Sequence, residues 1–221
     1  MAVRLPLNAE NLITQLACAQ LGVSVAQVPM GSPAAFLGEV MSSTQCRGVV
    51  MTDKGADFHP RDAIPALVAE GDFPELRHLV HTGHNHYDDL WQFRHCMLYD
   101  DAPAGMEDDV SDGDLLSQSF DPASSTASRT QGDLVAEVAA ATKGAGLVAD
   151  DTVCFTGSTT HELLVAAAVC MSAKAQFVLP VSTDAAVVER TAGEQQATAT
   201  YNSAGGLSVV SSGGAKVAAA Q

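Results

Sequence analysis

Residues 5–51 read LPLNAENLITQLACAQLGVSVAQVPMGSPAAFLGEVMSSTQCRGVVM and alternate twice between a helical pattern and a strand pattern. The helical patterns cover about 9–21 and 33–41, and short apolar runs follow them at 23–28 and 47–51. Proline and glycine mark the boundaries between these segments. Short strands that alternate with helices are typical of βαβ units, in which helices join parallel strands. This stretch therefore predicts an α/β fold.

The first of these helices has a start signal, a stop signal and an apolar face. Asn8 can accept a hydrogen bond from an unpaired backbone N–H, and Gly22 is placed to end the helix. The predicted apolar face consists of Leu12, Leu16 and Ala19, with Ile13, Ala17 and Leu21 beside them.

The alternation continues along the rest of the chain. The predicted helix and strand pairs are 60–70 with 76–81, 88–94 with 96–99, 132–145 with 152–156, and 161–171 with 175–180. The fold class is therefore predicted to be α/β, with a parallel sheet covered by helices on both faces.

The domain organisation follows from composition. Residues 1–203 are expected to form one α/β domain. Within it, 100–131 is rich in Asp, Ser and Ala and is predicted to be a long acidic loop. The tail 204–221 carries two Gly-Gly pairs and closing alanines, and we expect it to be weakly structured.

The charge and cysteine content limit the classes of partner. Eleven basic and twenty-six acidic residues give a net charge of -15, which repels nucleic acids and anionic membrane surfaces. No apolar run approaches the roughly 18 residues of a membrane span, and the first residues lack a secretory signal. The five cysteines form no C-x-x-C pair and are typical of buried thiols in a reducing compartment. We therefore expect an intracellular protein that neither binds nucleic acid nor spans a membrane.

Four segments, in the same order, resemble the large N-terminal domain of the adenylate-forming superfamily, the acyl-CoA synthetases and their relatives. The opening stretch 5–51 is similar to the family's Leu-Pro-x-Asn strand end and the helices and strands after it, and 74–83, PELRHLVHTG, looks like the strand before its phosphate loop. The segment 150–180 is similar to a later strand, a Pro-Leu-Phe-His turn and a helix, with His161 at the position of the motif's histidine. The resemblance implies the same α/β fold.

The fourth segment is the counterpart of the family's phosphate loop, 120–138, FDPASSTASRTQGDLVAEV. In the family, backbone N–H groups and a lysine hold ATP phosphates there, and glycines let the backbone come close. Ser124, Ser125 and Thr126 match this loop, but Arg129 is its one cation and Gly132 its one glycine. The segment is therefore interpreted as a degenerate phosphate loop that holds no nucleotide cofactor.

Three further elements of the family have no counterpart in this sequence. These are the Tyr-Gly-x-Thr-Glu motif that serves Mg²⁺ and adenine, the ribose-binding aspartate, and the C-terminal domain with its catalytic lysine. Adenylation requires ATP, Mg²⁺ and a carboxylate to be placed together. The resemblance thus implies a non-catalytic protein with no catalytic residues and no cofactor.

The segment 77–89, RHLVHTGHNHYDD, is open to two interpretations. In a strand, His78 and His81 face opposite sides and cannot easily share one ion. His84 and His86 lie in the following turn and, with Asp88, are candidate ligands of a surface metal. The alternative, which the pattern favours, is a solvated turn with one or two partly buried imidazoles.

His161 is treated in the same way. The resemblance places it near an acyl pocket, so it is a vestigial pocket residue, and its sequence position also suits the start of a helix. A Ser158–His161 nucleophile pair is excluded because no orienting acid other than the adjoining Glu162 is close in sequence.

The favoured function is a structural or interaction subunit derived from an acyl-CoA synthetase-like domain. Its partners are expected to be other protein subunits of a larger, multi-subunit complex, for which the resemblance suggests the mitochondrion over the cytoplasm. The alternatives are an acyl or acyl-CoA binding module and a residual adenylate-forming ligase.

Overall fold

The computed structural model describes residues 1–52, 59–70, 73–98, 110–120, 126–202 and 206–209. The chain divides into two compact units, Met1–Leu134 and Val135–Gln221. The boundary between the units lies within one helix, and each unit is described by itself below.

The first unit alternates strands and helices as predicted through residue 81. Its strands are β1 Ala2–Arg4, β2 Val25–Gln27, β3 Gly48–Met51, β4 His78–His81, β5 Trp91–Gln92, β6 Leu115–Ser119 and β7 Ala127–Thr130. Its helices are α1 Ala9–Gln20, α2 Ala34–Thr44, α3 Pro60–Glu70 and the single turn α4 Phe93–Cys96. Helix α5, Gln131–Ala145, carries the boundary between the units.

The strands of this unit form one seven-stranded sheet in the order β5-β4-β3-β1-β2-β6-β7. All neighbours are parallel except β7, which runs antiparallel to β6. The α/β fold class and the mostly parallel sheet are therefore confirmed.

The two faces of this sheet pack against different elements. On one face Ala2, Ala26 and Val49 meet Leu37 of α2 and Ile64 of α3 in a buried cluster. On the other face, Val3, Val25 and Val50 pack with Cys18 of α1. This two-sided cover explains why Ala2 and Val3, Val25 and Ala26, and Val49 and Val50 are apolar on both faces of the inner strands.

Helix α1 begins as predicted but buries a different side. Asn8 caps it, since the Asn8 side chain accepts a hydrogen bond from the backbone N of Asn11. The buried residues are Asn11, Thr14, Gln15 and Cys18, whereas Ile13 is 36% exposed and Leu21 is 42% exposed.

Hydrogen bonds explain this orientation of α1. The amide of Asn11 donates to the carbonyl oxygens of Leu5 and Pro6 at 3.2 and 3.0 Å, and the Gln15 amide donates to Asn11 Oδ1 at 3.3 Å. The polar side therefore supplies donors to the turn after β1, where the carbonyl group of buried Leu5 would otherwise lose this partner.

The predicted helix over 88–94 and strand over 96–99 are wrong, because the strand comes first, at Trp91–Gln92, and the helix follows at Phe93–Cys96. The reason is a non-local contact. Gln92 is buried, and its side-chain Nε2 donates to the carbonyl oxygens of His84 and Asn85 at 3.2 and 2.7 Å.

The predicted loop over 100–131 is wrong at β6 and β7, and its residues 100–109 and 121–125 lie outside the described part of the chain. Strand β6 pairs with β2, where Val25 lies opposite Ser117, and β7 pairs with β6. At the edge of a sheet, hydrogen bonds to the neighbouring strand hold polar residues in a strand, although the composition of such a segment does not predict one.

The second unit has its own small sheet. Its elements after α5 are β8 Thr152–Phe155, α6 Thr160–Ala173, β9 Gln176–Val178, α7 Ala185–Glu194, β10 Ala199–Asn202 and β11 Gly206–Val209. The strand order is β11-β10-β8-β9, with β8 parallel to both β9 and β10 and β11 antiparallel to β10. Strand β11 lies in the predicted weakly structured tail, of which 210–221 is outside the described residues.

Helix α6 is the apolar centre of the second unit. Its buried residues include Leu163, Leu164, Val165 and Val169.

Among the described residues, no helix has the length and apolar character needed to cross a bilayer.

Candidate functional site

The segment predicted to be a degenerate phosphate loop, 120–138, includes β7, at the edge of the first sheet, and the start of α5. Ser124 and Ser125 fall outside the described residues, and Thr126 is exposed just before β7. Arg129 lies in β7, opposite Ser117 of β6, and its residue is exposed. Of the candidates that lie in the described residues, Arg129 is part of β7 and Thr126 directly precedes it.

The first backbone N–H groups of α5 are already bonded within the first unit. The N–H of Gln131 donates to the carbonyl oxygen of Asp114 at 2.9 Å, and that of Gly132 donates to the carbonyl oxygen of Asp112 at 2.8 Å. The N–H of Asp133 donates to Thr130 Oγ1 at 3.2 Å. These groups are the ones with which a helix N-terminus binds an anion.

A carboxylate accepts a hydrogen bond from the remaining backbone N–H group at this junction. The N–H of Thr130 donates to Asp133 Oδ2 at 2.8 Å, which completes a reciprocal cap with the Asp133 bond described above. The start of α5 is therefore closed by the chain's own oxygen atoms.

Gly132, the one glycine of this segment, has a packing role. A Cβ at this position would lie 3.0 Å from the carbonyl oxygen of Asp112, so the absence of a side chain lets the two backbones approach. Gly132 therefore allows the close backbone contact with residues 112–114. The resemblance to a phosphate loop did not predict this packing role.

The second junction, FTGSTTHE at 155–162, joins β8 to α6 within the second unit. Glu162 is buried, and its Oε2 accepts hydrogen bonds from the backbone N–H groups of Ser158 at 2.6 Å and Thr159 at 2.9 Å. Thr159 Oγ1 accepts in return from the N–H of Glu162 at 3.2 Å. This capping box satisfies the donors at the start of α6.

His161 forms a close pair with a carboxylate on α5. Its Nε2 lies 2.6 Å from Glu137 Oε2, and its side chain is 16% exposed. The other ring nitrogen, Nδ1, is buried and has no hydrogen-bond partner among the residues that the structure describes. Burial and the negative charges of Glu137 and Glu162 raise the pKa of nearby Tyr201. The His161–Glu137 pair was not predicted, because the two residues lie 24 positions apart.

The histidine-rich segment is divided between the core and the surface. His81 is fully buried, with its ring edge-on to Tyr87 at a centroid distance of 4.9 Å, while His78 is exposed. His86 Nε2 lies 3.5 Å from Asp88 Oδ1, and both side chains are largely exposed. His84 is also exposed. The described residues contain no group of three or more potential metal ligands.

One buried cation was not identified from sequence. Arg4, at the end of β1, is 3% exposed, and its Nη2 donates to the carbonyl oxygens of Met30 and Ser32 at 2.6 and 3.4 Å. Burial lowers the pKa of the Arg4 guanidinium. The available signal was an arginine within the apolar strand MAVRL, a place where a charge requires buried partners.

Comparison with known proteins identifies the fold. No family model and no curated protein matches the sequence. MbtA of Mycobacterium smegmatis is structurally similar with a TM-score of 0.71 and 18% identity over 90% of this chain and 37% of its own. Acetoacetyl-CoA synthetase of Streptomyces lividans is similar with a TM-score of 0.67 and 19% sequence identity. The match covers 92% of this chain and 33% of the synthetase chain.

A third similar structure is a putative long-chain-fatty-acid CoA ligase of Rhodopseudomonas palustris, with a TM-score of 0.70 and 16% identity over 90% of this chain. The chain spans 33 to 49% of the length of these three structures. At such low identity the likeness defines the fold, which is that of the N-terminal domain of adenylate-forming enzymes. The fold implied by the sequence resemblance is thereby confirmed.

Proposed function

We propose that this chain is a non-catalytic protein-binding domain with an acyl-CoA synthetase-like fold, and that it serves as a structural subunit of a larger assembly. The observation that carries the proposal is the closed start of α5. Four backbone N–H groups, from Thr130 to Asp133, donate to the chain's own oxygen atoms. A nucleotide phosphate would have to displace these bonds.

Electrostatics supports the same proposal. Residues 120–138 contain Asp121, Asp133 and Glu137 against the single cation Arg129. A triphosphate near such a segment would meet net repulsion, and the chain as a whole carries -15. The N–H donors that are already bonded and the net negative charge of the segment both disfavour the binding of a nucleotide phosphate.

ATP–pyrophosphate exchange with a panel of carboxylic acids tests the catalytic part. We expect no exchange above the protein-free blank, with the acetoacetyl-CoA synthetase of Streptomyces lividans as a positive control. Exchange that depends on a carboxylate would instead support the residual-ligase alternative.

The structural part is tested by the size of the native particle. We expect the chain to co-migrate in fixed stoichiometry with other subunits. The proposal also places the assembly in the mitochondrion, and subcellular fractionation tests that location. A monodisperse native species of 22.8 kDa, the mass of the chain alone, would contradict the proposal.

A second candidate function is the binding of an acyl group or acyl-CoA near 156–161. It is favoured by His161 Nδ1, which is buried without a hydrogen-bond partner. Calorimetric titration with acyl-CoA tests it, and heat that is lost in His161→Phe would support it over the structural role.

A further inference from the structure

One face of the first sheet is only partly covered by helices of its own unit. Helix α1 packs over β1, β2 and β3 on this face, through Cys18 against Val3, Val25 and Val50. The connection from β4 to β5, residues 82–90, forms no helix in the described stretch 73–98. Parallel sheets are normally buried on both faces, and within the described residues of the first unit no helix connects β4 to β5 to cover this end.

Apolar side chains are exposed at this end. Trp91 lies opposite Val80 in the ladder, and Val80 and Phe93 border the buried cluster under α1. Trp91 and Met97 are each 55% exposed, and Leu98 is 78% exposed. We call Val80, Trp91, Phe93, Met97 and Leu98 the Trp91 patch. Trp91, Met97 and Leu98 lie within eight residues of one another, and exposed tryptophan and methionine side chains are enriched at interaction sites.

The charge around the patch selects the partner's chemistry. Across the described residues 86–98 the sequence has two aspartates, Asp88 and Asp89, against the single arginine Arg94. Asp88 is 97% exposed at its side chain and lies three residues before Trp91. A second copy of the chain would bring the same aspartates together and would carry another -15, so self-association through the patch is disfavoured.

We propose that the Trp91 patch is the docking surface for a basic segment of a different protein, which places apolar side chains on Trp91, Met97 and Leu98 and cations near Asp88 and Asp89. This inference rests on the proposed function, because a structural subunit requires such a surface. The apolar contacts supply affinity, and the charges supply orientation and a salt-dependent association rate.

Trp91 is the single tryptophan of the chain, so its fluorescence reports on this patch alone. The probes are a short peptide of alternating Lys and Leu, the same peptide with Glu for Lys, and one with Ser for Leu. We expect acrylamide to quench Trp91 in the free chain. The Lys–Leu peptide should then shift the Trp91 emission to the blue and reduce quenching, with an affinity that falls as salt rises.

Substitutions localise the effect. Leu98→Ser should weaken the Lys–Leu peptide about tenfold, or about 1.4 kcal/mol, and Asp88→Asn with Asp89→Asn should weaken it and flatten its salt dependence. Val181→Ser is the matched control, since Val181 is 95% exposed and lies in the second unit. It should leave binding unchanged, and circular dichroism checks that each variant is folded.

Several outcomes would overturn the proposal. One is that acrylamide fails to quench Trp91 in the free monomer, and another is that the Glu–Leu peptide binds as tightly as the Lys–Leu peptide. A third is that Leu98→Ser and Val181→Ser weaken peptide binding equally. The last is that sedimentation shows the chain to dimerise without peptide and that this dimer shifts the Trp91 emission. None of these measurements involves a nucleotide. Catalytic exchange would therefore refute the proposed function while leaving the peptide result intact, and failed peptide binding without exchange would refute the docking surface alone.

Discussion

At the scale of single residues, the turn before α6 depends on one glycine and one buried glutamate. Glu162 reaches back to the N–H groups of Ser158 and Thr159, and the space it occupies lies against Gly157. A Cβ on Gly157 would lie 2.7 Å from Glu162 Oε2 and 2.7 Å from the Phe155 ring. The glycine is thus required by packing.

Gly157→Ala should destabilise the second unit by about 1–3 kcal/mol, because the new methyl group must displace the glutamate or the ring. The measurement is urea denaturation followed by circular dichroism. Gly144→Ala is the control, since that glycine lies in α5 and a methyl group added there would meet nothing within 4 Å, and it should stabilise the chain by about 0.5–1 kcal/mol. Equal effects of the two substitutions would contradict the packing role.

A second prediction at this scale concerns Cys170 in α6. Burial raises the pKa of its thiol to about 11, so the folded chain keeps this thiol protonated after the unfolded chain has begun to ionise it. The resulting stabilisation is complete below about pH 8.5 and is lost as the pH rises towards about 11. Urea denaturation across this range should show falling stability.

Cys170→Ser should make that alkaline decline shallower, because a hydroxyl group does not titrate there. Burial also raises the pKa of Cys154 and of Tyr201, so part of the decline should remain. A decline of unchanged steepness in the variant would rule out a contribution from Cys170.

At the scale of elements, α1 shows that a helix pattern does not decide which side is buried. Ile13 and Leu21 face outward, while Asn11 is fully buried and bonds the carbonyl oxygens of Leu5 and Pro6. Side-chain donors from the helix thereby replace the backbone partners that the turn after β1 lacks.

Asn11→Leu should therefore destabilise the first unit by about 2 kcal/mol or more, although it adds apolar surface to a buried position, since it leaves buried carbonyl groups without donors. Ile13→Gln, on the exposed side of the same helix, should change stability by about 0.5 kcal/mol or less. Urea denaturation followed by Trp91 fluorescence measures both. The reverse ranking would show that the side with Ile13 is the buried one.

At the scale of the whole molecule, charge is the dominant property. A net charge of -15 on 221 residues destabilises any compact state through self-repulsion. The fold accommodates carboxylates by using some of them as caps, as Asp133 does for Thr130 and Glu162 does for the turn at Ser158.

The free energy of unfolding should accordingly increase when sodium chloride is raised from low to physiological concentration, because ions screen the repulsion between carboxylates. Urea denaturation at the two concentrations measures this effect. Stability that falls with salt would mean that attractive pairs such as Arg190–Glu194 outweigh the repulsion.

The sequence by itself determined the kinds of element and their order over most of the chain. Asn8 as a cap and the span of α3 follow from local signals, because caps, prolines and apolar spacing act over a few residues. The four-segment resemblance gave the fold class for the same reason, since it depends on the order of such signals.

Only the tertiary structure decided which side of α1 is buried, that β6 and β7 are strands, and that the first N–H groups of α5 are bonded to residues 112–114. The His161–Glu137 pair is of the same kind. The pairing of β6 with β2, the bonds at the start of α5 and the His161–Glu137 pair depend on partners distant in sequence, and the buried side of α1 depends on how the turn after β1 is folded. The free energy of a buried hydrogen bond depends on whether its partner is in place, and apolar spacing does not encode this.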